Sequence, residues 1–211
     1  MSELDGAQLR ITAEWERPDR ALLAEFSQFQ VANLGDAMER LGICDAGISG
    51  IWPGGAFAGS AFPITTDAGD NAAIIKSLDY LQPGDVVVVN GGGYLGRALI
   101  GDNLVQRFAL RGAVGAVIDG CVRDRDTIEN LGFPVFARGI TPAGPFKNGP
   151  GVIGEDAAVA GVVFHPGDIV CADTDGIIVI PPARAREVLA AVRAVVAREH
   201  ALDAEVAAAH G

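Results

Sequence analysis

Several residue types that whole classes of chemistry depend on are scarce in this chain. Three cysteines (Cys44, Cys121, Cys171) and three histidines (His165, His200, His210) occur in 211 residues. An odd number of cysteines without paired spacing makes neither a disulfide framework nor a zinc knuckle, and it suits a reducing compartment. There is no HxH or HExxH pair, so an imidazole-rich transition-metal centre is not expected, and oxygen ligation of magnesium or manganese fits better. A Ser or Cys triad lacks a convincing base, because His165 in Phe-His-Pro-Gly reads as a structural turn residue. Lysine occurs only at Lys76, read as a solvated helix residue, and Lys147, whose FKNGPG context could line a pocket. A Schiff-base mechanism would have to use one of these two.

Positive charge is also in deficit, with 16 Lys and Arg against 27 Asp and Glu and a net charge of −11. Nucleic-acid binding needs clustered cations against phosphate, so no nucleic-acid partner is expected. No run approaches the roughly 18 apolar residues needed to span a bilayer. The opening MSELDGAQLRITAEWERPDR is charged, without the apolar core of a signal peptide. A cytoplasmic protein with no membrane partner is the expectation.

What is abundant is glycine, at 28 residues, and apolar side chains, at 49%, enough for a substantial core with many tight turns. No repeat or linker divides the chain, so residues 1–211 are expected to form one domain, with a core over 31–181 and a C-terminal helix over 183–209. Helical spacing predicts helices at Ala21–Phe29 and Val31–Leu41, the second capped by Gly42. A strand at Gly59–Thr66 and a helix at Asp70–Leu81 follow. Asp85–Asn90 (DVVVVN) and Ala113–Asp119 (AVGAVID) read as strands buried on both faces. Between them, the Gly91–Gly93 turn ends the first strand and a helix runs over Gly96–Arg111. A short helix at Asp126–Leu131 and a strand at Pro134–Arg138 complete the centre. Strand–helix–strand alternation implies parallel strands with right-handed crossovers. The last third reads as short strands (Val152–Ile153, Val159–Phe164, Asp168–Asp173, Gly176–Ile180) before a long Ala- and Arg-rich helix. The fold class is therefore α/β with a partly parallel central sheet and additional β segments.

Two constellations could carry chemistry. Gly91-x-Gly93-x-x-Gly96 lies between a predicted strand and helix, with Asp119 ending the next strand, which is the formal setting of a dinucleotide fingerprint. It would make the chain a nicotinamide- or flavin-dependent oxidoreductase, although Arg97 and Asp102 sit awkwardly for that role. No Walker lysine is present. The second is Asp102 followed, after twenty residues, by Arg123-Asp124. Loops after parallel strands gather at one sheet edge, so these three should meet there. A guanidinium can grip a carboxylate bidentately and aspartates can hold a hard cation. The same residues would serve equally well as a structural Arg–Asp network.

With GDVVVVNGGG, GDNL at Gly101–Leu104 and GCVRD at Gly120–Asp124, the chain resembles the RraA-like superfamily. The likeness runs from about Val31 to Pro181. It includes GDN at Gly69–Asn71, LGFPVFARG at Leu131–Gly139 and PGDIVCADTDGIIVIP at Pro166–Pro181. Enzymes of that superfamily include the 4-hydroxy-4-methyl-2-oxoglutarate/4-carboxy-4-hydroxy-2-oxoadipate aldolases, class II pyruvate aldolases. The resemblance implies a fold in which sheets sandwich helices, assembled as a trimer or dimer of trimers with active sites at subunit clefts. It implies Mg2+ (or Mn2+) at Asp124, and substrate carboxylate and keto oxygen at Arg123. Asp102 would hold a catalytic water, and the backbone N–H groups of Gly101, Asp102, Asn103 and Leu104 would face a small 2-oxo acid substrate. A carboxylate from a neighbouring chain's C-terminal helix, Glu199 here with Asp203 and Glu205 as alternatives, would complete the metal site.

Two departures matter. The Gly91–Gly93 turn looks more like the RNase-regulator branch, which binds rather than catalyses. That branch tends to lack the Asp after the Arg, whereas this chain keeps Arg123-Asp124. The expected activity is therefore metal-dependent cleavage of a 4-hydroxy-2-oxo acid to release pyruvate, with oxaloacetate decarboxylation as a second activity.

Overall fold

The computed structural model describes residues 8–12 and 14–209; His210 lies outside them. A strand β1 (Leu9–Ile11) leads to helices α1 (Arg20–Phe26) and α2 (Val31–Ala37), the two-residue β2 (Ser49–Gly50) and the long β3 (Phe57–Thr66). The centre runs α3 (Ala72–Ser77), β4 (Asp85–Ile100), α4 (Asp102–Leu110), β5 (Gly115–Val122), α5 (Arg125–Leu131) and β6 (Val135–Ile140). Five short strands follow: β7 (Gly151–Ile153), β8 (Ala157–Val159), β9 (Val162–Phe164), β10 (Ile169–Asp173) and β11 (Gly176–Ile180). A turn of 3-10 helix and α6 (Ala185–Ala209) end the chain.

Strands β3, β4, β5 and β6 lie side by side and parallel, the expected core of a nine-stranded sheet. β2 closes one edge antiparallel to β6. The other edge of β3 is shared by two antiparallel partners, β10 along Phe57–Ser60 and β7 along Ile64–Thr66. β11 pairs with β10, and β1 runs parallel to β7. β8 and β9 make a separate hairpin.

Alternation along the strands sorts the core into layers, because successive side chains point to opposite faces. Val87 and Val89 join Phe62, Ile118 and the apolar faces of α3 and α4, including Ile74, Leu104 and Phe108. Val86 and Val88 face the other way, onto Phe57, Phe136, Phe164, Val170 and Val179. The far side of the β10–β11 ribbon, through Ile169, Ile178 and Ile180, takes α1, α2 and α6, with Phe26, Leu34, Val188 and Val192. The layering is thus the reverse of the expected one. Helices cover the outer faces and the β layers pack on each other between them.

Four further differences have local causes. α2 stops at Ala37 rather than Leu41, because Glu39 and Arg40 take positive φ (55° and 65°) and turn the chain toward β11. Gly42 there is a crossing point and not a helix cap. It accepts the Val179 N–H at 2.8 Å, and a Cβ on it would fall 2.3 Å from the Val179 carbonyl oxygen. α3 begins at Ala72, with Asp70 just ahead accepting the Ala72 N–H at 2.8 Å, and ends at Ser77, short of the expected Leu81. The expected strand Val159–Phe164 is instead the β8–β9 hairpin, turned at Ala160 and Gly161 with φ of 50° and 79°. The short β1 and β2 carry no periodic signal and were not anticipated.

At the amino end of β4, fully buried Asp85 receives two hydrogen bonds from Arg17, Nε to Oδ1 at 2.7 Å and Nη2 to Oδ2 at 3.0 Å. The Gln82 N–H adds a third at 2.8 Å, and the Arg17 guanidinium stacks over Trp15 at 4.3 Å. This fork ties the segment before α1 to the central strand. Replacing Asp85 by Ala leaves the guanidinium buried without its counter-charge and should cost about 3 kcal/mol, read from urea unfolding. All three thiols are buried. Burial first, with help from nearby aspartates, pushes Cys44 and Cys171 up to about 12, and burial also raises Cys121. None should therefore react appreciably with iodoacetamide at pH 8 in the native protein, and all three should react in urea, as counted by mass spectrometry.

Candidate active site

The site is set by how β4 and β5 keep step. From Val86 to Asn90 the two strands pair residue for residue with Gly115 to Asp119. Then β4 takes ten steps from Asn90 to Ile100 while β5 takes three from Asp119 to Val122, and the strands keep contact through bulges at Tyr94–Gly120, Ala98–Cys121 and Ile100–Val122. The extra β4 residues bulge between these contacts, and the Arg123 N–H closes the ladder on the Ile100 carbonyl at 3.1 Å. Gly101-Asp102 thereby lies beside Arg123-Asp124.

At this junction Asp102 is the first residue of α4, as the spacing predicts for a residue facing the crevice. Its Oδ1 accepts the Asn103 N–H at 2.7 Å, a favourable place for a carboxylate at a helix start. Asp124 precedes α5 in the left-handed region (φ 60°, ψ 36°), which Asp tolerates better than most residues. Its carbonyl accepts the Ile128 N–H at 3.0 Å. That conformation turns the carboxylate back, so that Oδ2 lies 3.3 Å from Arg123 Nε and accepts the Asp102 N–H at 3.3 Å. Gly101 makes the approach possible. A Cβ there would stand 2.3 Å from Asp124 Oδ2 and 3.1 Å from Arg123 Nε. Leu104 is buried and anchors α4 in the core.

Most of these residues border a cleft of about 390 Å³. Gly101–Leu104, Arg107 and Arg123 line it together with Asn71, Pro145 and Lys147. Asp124 does not line it; its carboxylate lies against Gly101, facing Arg123 Nε and the Asp102 N–H. The Lys147 wall is strapped down from several directions. Buried Asp70 accepts the Asn148 and Gly149 N–H groups at 2.9 and 2.8 Å. Arg97 donates to the Gly144 carbonyl at 2.6 Å and lies 4.0 Å above the Phe146 ring. The Ala98 N–H donates to Ala143 O at 2.8 Å and the Asn71 N–H to Phe146 O at 3.0 Å. The expectation that Lys147 could line a pocket agrees with this wall. Asp70, Asn71 and Arg107 were given no role from the sequence. Their only signals were the acidic–amide pair ahead of a helix and a cation one turn from Asn103 on the polar face of α4.

The C-terminal helix does not reach this cleft within its own chain. Glu199 lies on α6 and accepts a hydrogen bond from Asn33 Nδ2 of α2, while Asp203 and Glu205 are exposed further along. The expected role of Glu199 thus needs a second chain. Among the described residues no group of three or more His, Cys, Asp or Glu stands together as a metal cage. Asp102 and Asp124 supply oxygen donors only, a set suited to a hard cation that keeps most of its water.

The dinucleotide setting is absent. Gly91, Gly93 and Gly96 lie in the bulged part of β4, not at a helix start, and α4 begins six residues after Gly96. Gly93 takes a positive φ of 66°, and the other two face close contacts. A Cβ on Gly91 would fall 2.4 Å from Leu99 Cδ1, and one on Gly96 2.3 Å from Tyr94 Oη. Asp119, the candidate ribose ligand, is engaged by Arg138 Nε in a largely buried ion pair.

Comparison with known proteins agrees with this architecture. A family model described as RraA-like, Aldolase/RraA, matches residues 31–179. A Halalkalibacterium halodurans protein, provisionally named 4-hydroxy-4-methyl-2-oxoglutarate aldolase, is 32% identical over 167 residues, covering 79% of this chain and 80% of its own. An uncharacterised Pseudomonas syringae pv. tomato protein of known crystal structure superposes with a TM-score of 0.83 at 28% identity over 92% of both chains. Streptomyces coelicolor RraAS2, described as an unusual member of the RNase ES inhibitor RraA protein family, superposes with a TM-score of 0.76 at 29% identity over 92% of this chain and 98% of its own. With a family model over residues 31–179 and a relative 32% identical over most of both chains, the chain belongs to the RraA-like family.

Proposed function

We propose that this protein is a divalent-metal-dependent lyase that cleaves a 4-hydroxy-2-oxo acid and releases pyruvate. The observation that carries the reading is the Gly101 gap, into which the Asp124 carboxylate fits so that its Oδ2 faces Arg123 Nε and accepts the Asp102 N–H beside a polar cleft. Arg123 binds the substrate's carboxylate and 2-oxo oxygen, and as the C–C bond breaks its guanidinium stabilises the negative charge developing on that oxygen. In the structure the Asp102 and Asn103 N–H groups already serve the Asp124 and Asp102 carboxylates, so substrate binding uses chiefly the Leu104 N–H or displaces these bonds. Asp102 orients the water that takes the proton from the C4 hydroxyl. A magnesium or manganese ion, held by Asp124 directly or through water, would add positive charge at the same oxygen. Glu199 from a neighbouring chain would complete the site in a trimer or dimer of trimers. The enolate is also the product of oxaloacetate decarboxylation, which is the expected second activity.

The likeness to RraAS2 supports a second reading, a binding protein that restrains an RNase without catalysis. The Asp102/Arg123/Asp124 cluster favours chemistry, since surface inhibition makes no use of it. The described helices include none long and apolar enough to cross a membrane.

Pyruvate release, coupled to lactate dehydrogenase, distinguishes the two. Oxaloacetate and 4-hydroxy-4-methyl-2-oxoglutarate should each yield pyruvate with magnesium or manganese faster than with the metal ion alone, and that excess should vanish with EDTA. Asp124→Ala and Arg123→Ala should each lower kcat/KM at least about 100-fold with little change in thermal unfolding. Near-wild-type turnover in either variant would refute the site assignment, and no metal-dependent release from the wild type would favour the binding protein. Gly101→Ala should also suppress release, because its Cβ occupies the Asp124 carboxylate position.

A further inference from the structure

Beyond the β2 edge of the sheet the chain builds a second concave surface, which the cleft chemistry does not use. After β2, Ile51 donates its N–H to the Val135 carbonyl at 2.9 Å, and Trp52 Nε1 donates to the Phe133 carbonyl at 3.1 Å. The indole N–H is thus committed to the backbone, which fixes the ring. Its apolar body borders a hollow of about 230 Å³, with Ile51, Pro53 and Phe136 as the other apolar side chains of the lining. Gly50 and Gly55 border the hollow too. A Cβ on Gly55 would stand 3.4 Å from Trp52 Cζ2, and one on Gly50 3.6 Å from Phe136 Cε1. Glycine at both positions keeps side-chain atoms off the two rings.

The charged lining is small and unevenly engaged. Asp173 is already satisfied, since its Oδ2 accepts the Val31 N–H at 2.8 Å and its Oδ1 the Asp175 N–H at 2.9 Å. Arg125 differs. It is exposed, lines the hollow, and makes no ion pair or side-chain hydrogen bond with any other described residue. A guanidinium grips a carboxylate through two parallel N–H donors, and apolar walls with a few placed polar groups are the usual make-up of a small-molecule site. Arg123 lines the cleft and Arg125 lines the hollow, so the two neighbours of Asp124 in the chain serve separate surfaces.

We propose that Trp52, Phe136 and Arg125 form a second binding site, which takes a compact aromatic carboxylate. The ligand's ring lies against Trp52 and the edge of Phe136, and its carboxylate is held by Arg125. The hydroxyls of Ser49 and Thr174, which also line the hollow, donate to the same carboxylate. A carboxylate without a ring forgoes the aromatic contact, and a ring without charge forgoes the arginine, so both parts are needed. None of these residues lines the cleft, and the site stands independently of the lyase reading.

The test is titration of the full chain with benzoate, benzamide and acetate at low ionic strength, followed by tryptophan fluorescence and by calorimetry. Benzoate should bind saturably and at least about fivefold more tightly than either of the others, as a charge-assisted contact added to a ring contact predicts. Benzamide keeps the ring and lacks the charge, whereas acetate keeps the charge and lacks the ring. Arg125→Met should erase the preference for benzoate over benzamide, and Arg125→Lys should keep part of it. Arg125 is exposed, so thermal unfolding of both variants should match the wild type. Trp52→Phe should remove the fluorescence response, although Trp15 still emits, and keep calorimetric binding within a few-fold. Arg123→Ala, in the cleft, should leave benzoate binding unchanged. Absence of saturable binding, or equal affinity of benzoate with benzamide or with acetate, overturns the proposal. Loss of benzoate binding in Arg123→Ala together with its retention in Arg125→Met also overturns it, because the anion would then occupy the cleft.

Discussion

The unequal step between β4 and β5 is the constraint on which the rest of the site depends. Two parallel strands that stayed in register beyond Asn90–Asp119 would carry Gly101-Asp102 well past Arg123-Asp124. Bulging the extra β4 residues between the contacts Tyr94–Gly120, Ala98–Cys121 and Ile100–Val122 brings two chain turns, far apart in sequence, within hydrogen-bond distance. Side-chain chemistry then follows from steric permission at one position. Gly101 leaves room for a carboxylate and a guanidinium where any other residue would place a carbon.

Much of this was legible in the sequence, and the misses have physical reasons. The DVVVVN and AVGAVID segments announce themselves as buried parallel strands, because a strand covered on both faces has no polar alternation to mislead the reader. Asp102, Arg123 and Asp124 were found by topology, since loops after neighbouring parallel strands must converge. The Gly91–Gly96 stretch reads as a strand end and helix start because four glycines in six residues look like a turn. In fact Gly91 and Gly96 relieve close contacts with Leu99 and Tyr94, and Gly92 and Gly93 take positive φ, inside a continuing strand. Layer order was also missed. Short strands such as β8 to β11 have the same apolar content whether they pack on helices or on another β layer, and only the long-range pairing of β10 with β3 decides it.

The cleft's far wall was the least legible part. Its position is set by backbone hydrogen bonds to a carboxylate more than seventy residues away in the chain, and such a partnership leaves no periodic mark. Asp70 illustrates the general difficulty. An acid that is buried, silent in charge pairing and satisfied wholly by N–H groups resembles any loop aspartate until the fold is known. Arg97 is similar. Its stacking on Phe146 and its bond to Gly144 serve as a clamp, although in the sequence it stood as an obstacle to a nucleotide site.

The Arg17–Asp85 fork sits at the amino end of β4, and the candidate site lies past its carboxyl end. Robustness and the proposed reactivity are therefore lodged at opposite poles of a single strand. Evolution or an engineer can harden the base of this molecule, through residues 15–17 and 82–85, without stiffening the end where ligands must enter and leave. The usual trade-off between a sturdy protein and an active one is relaxed by distance.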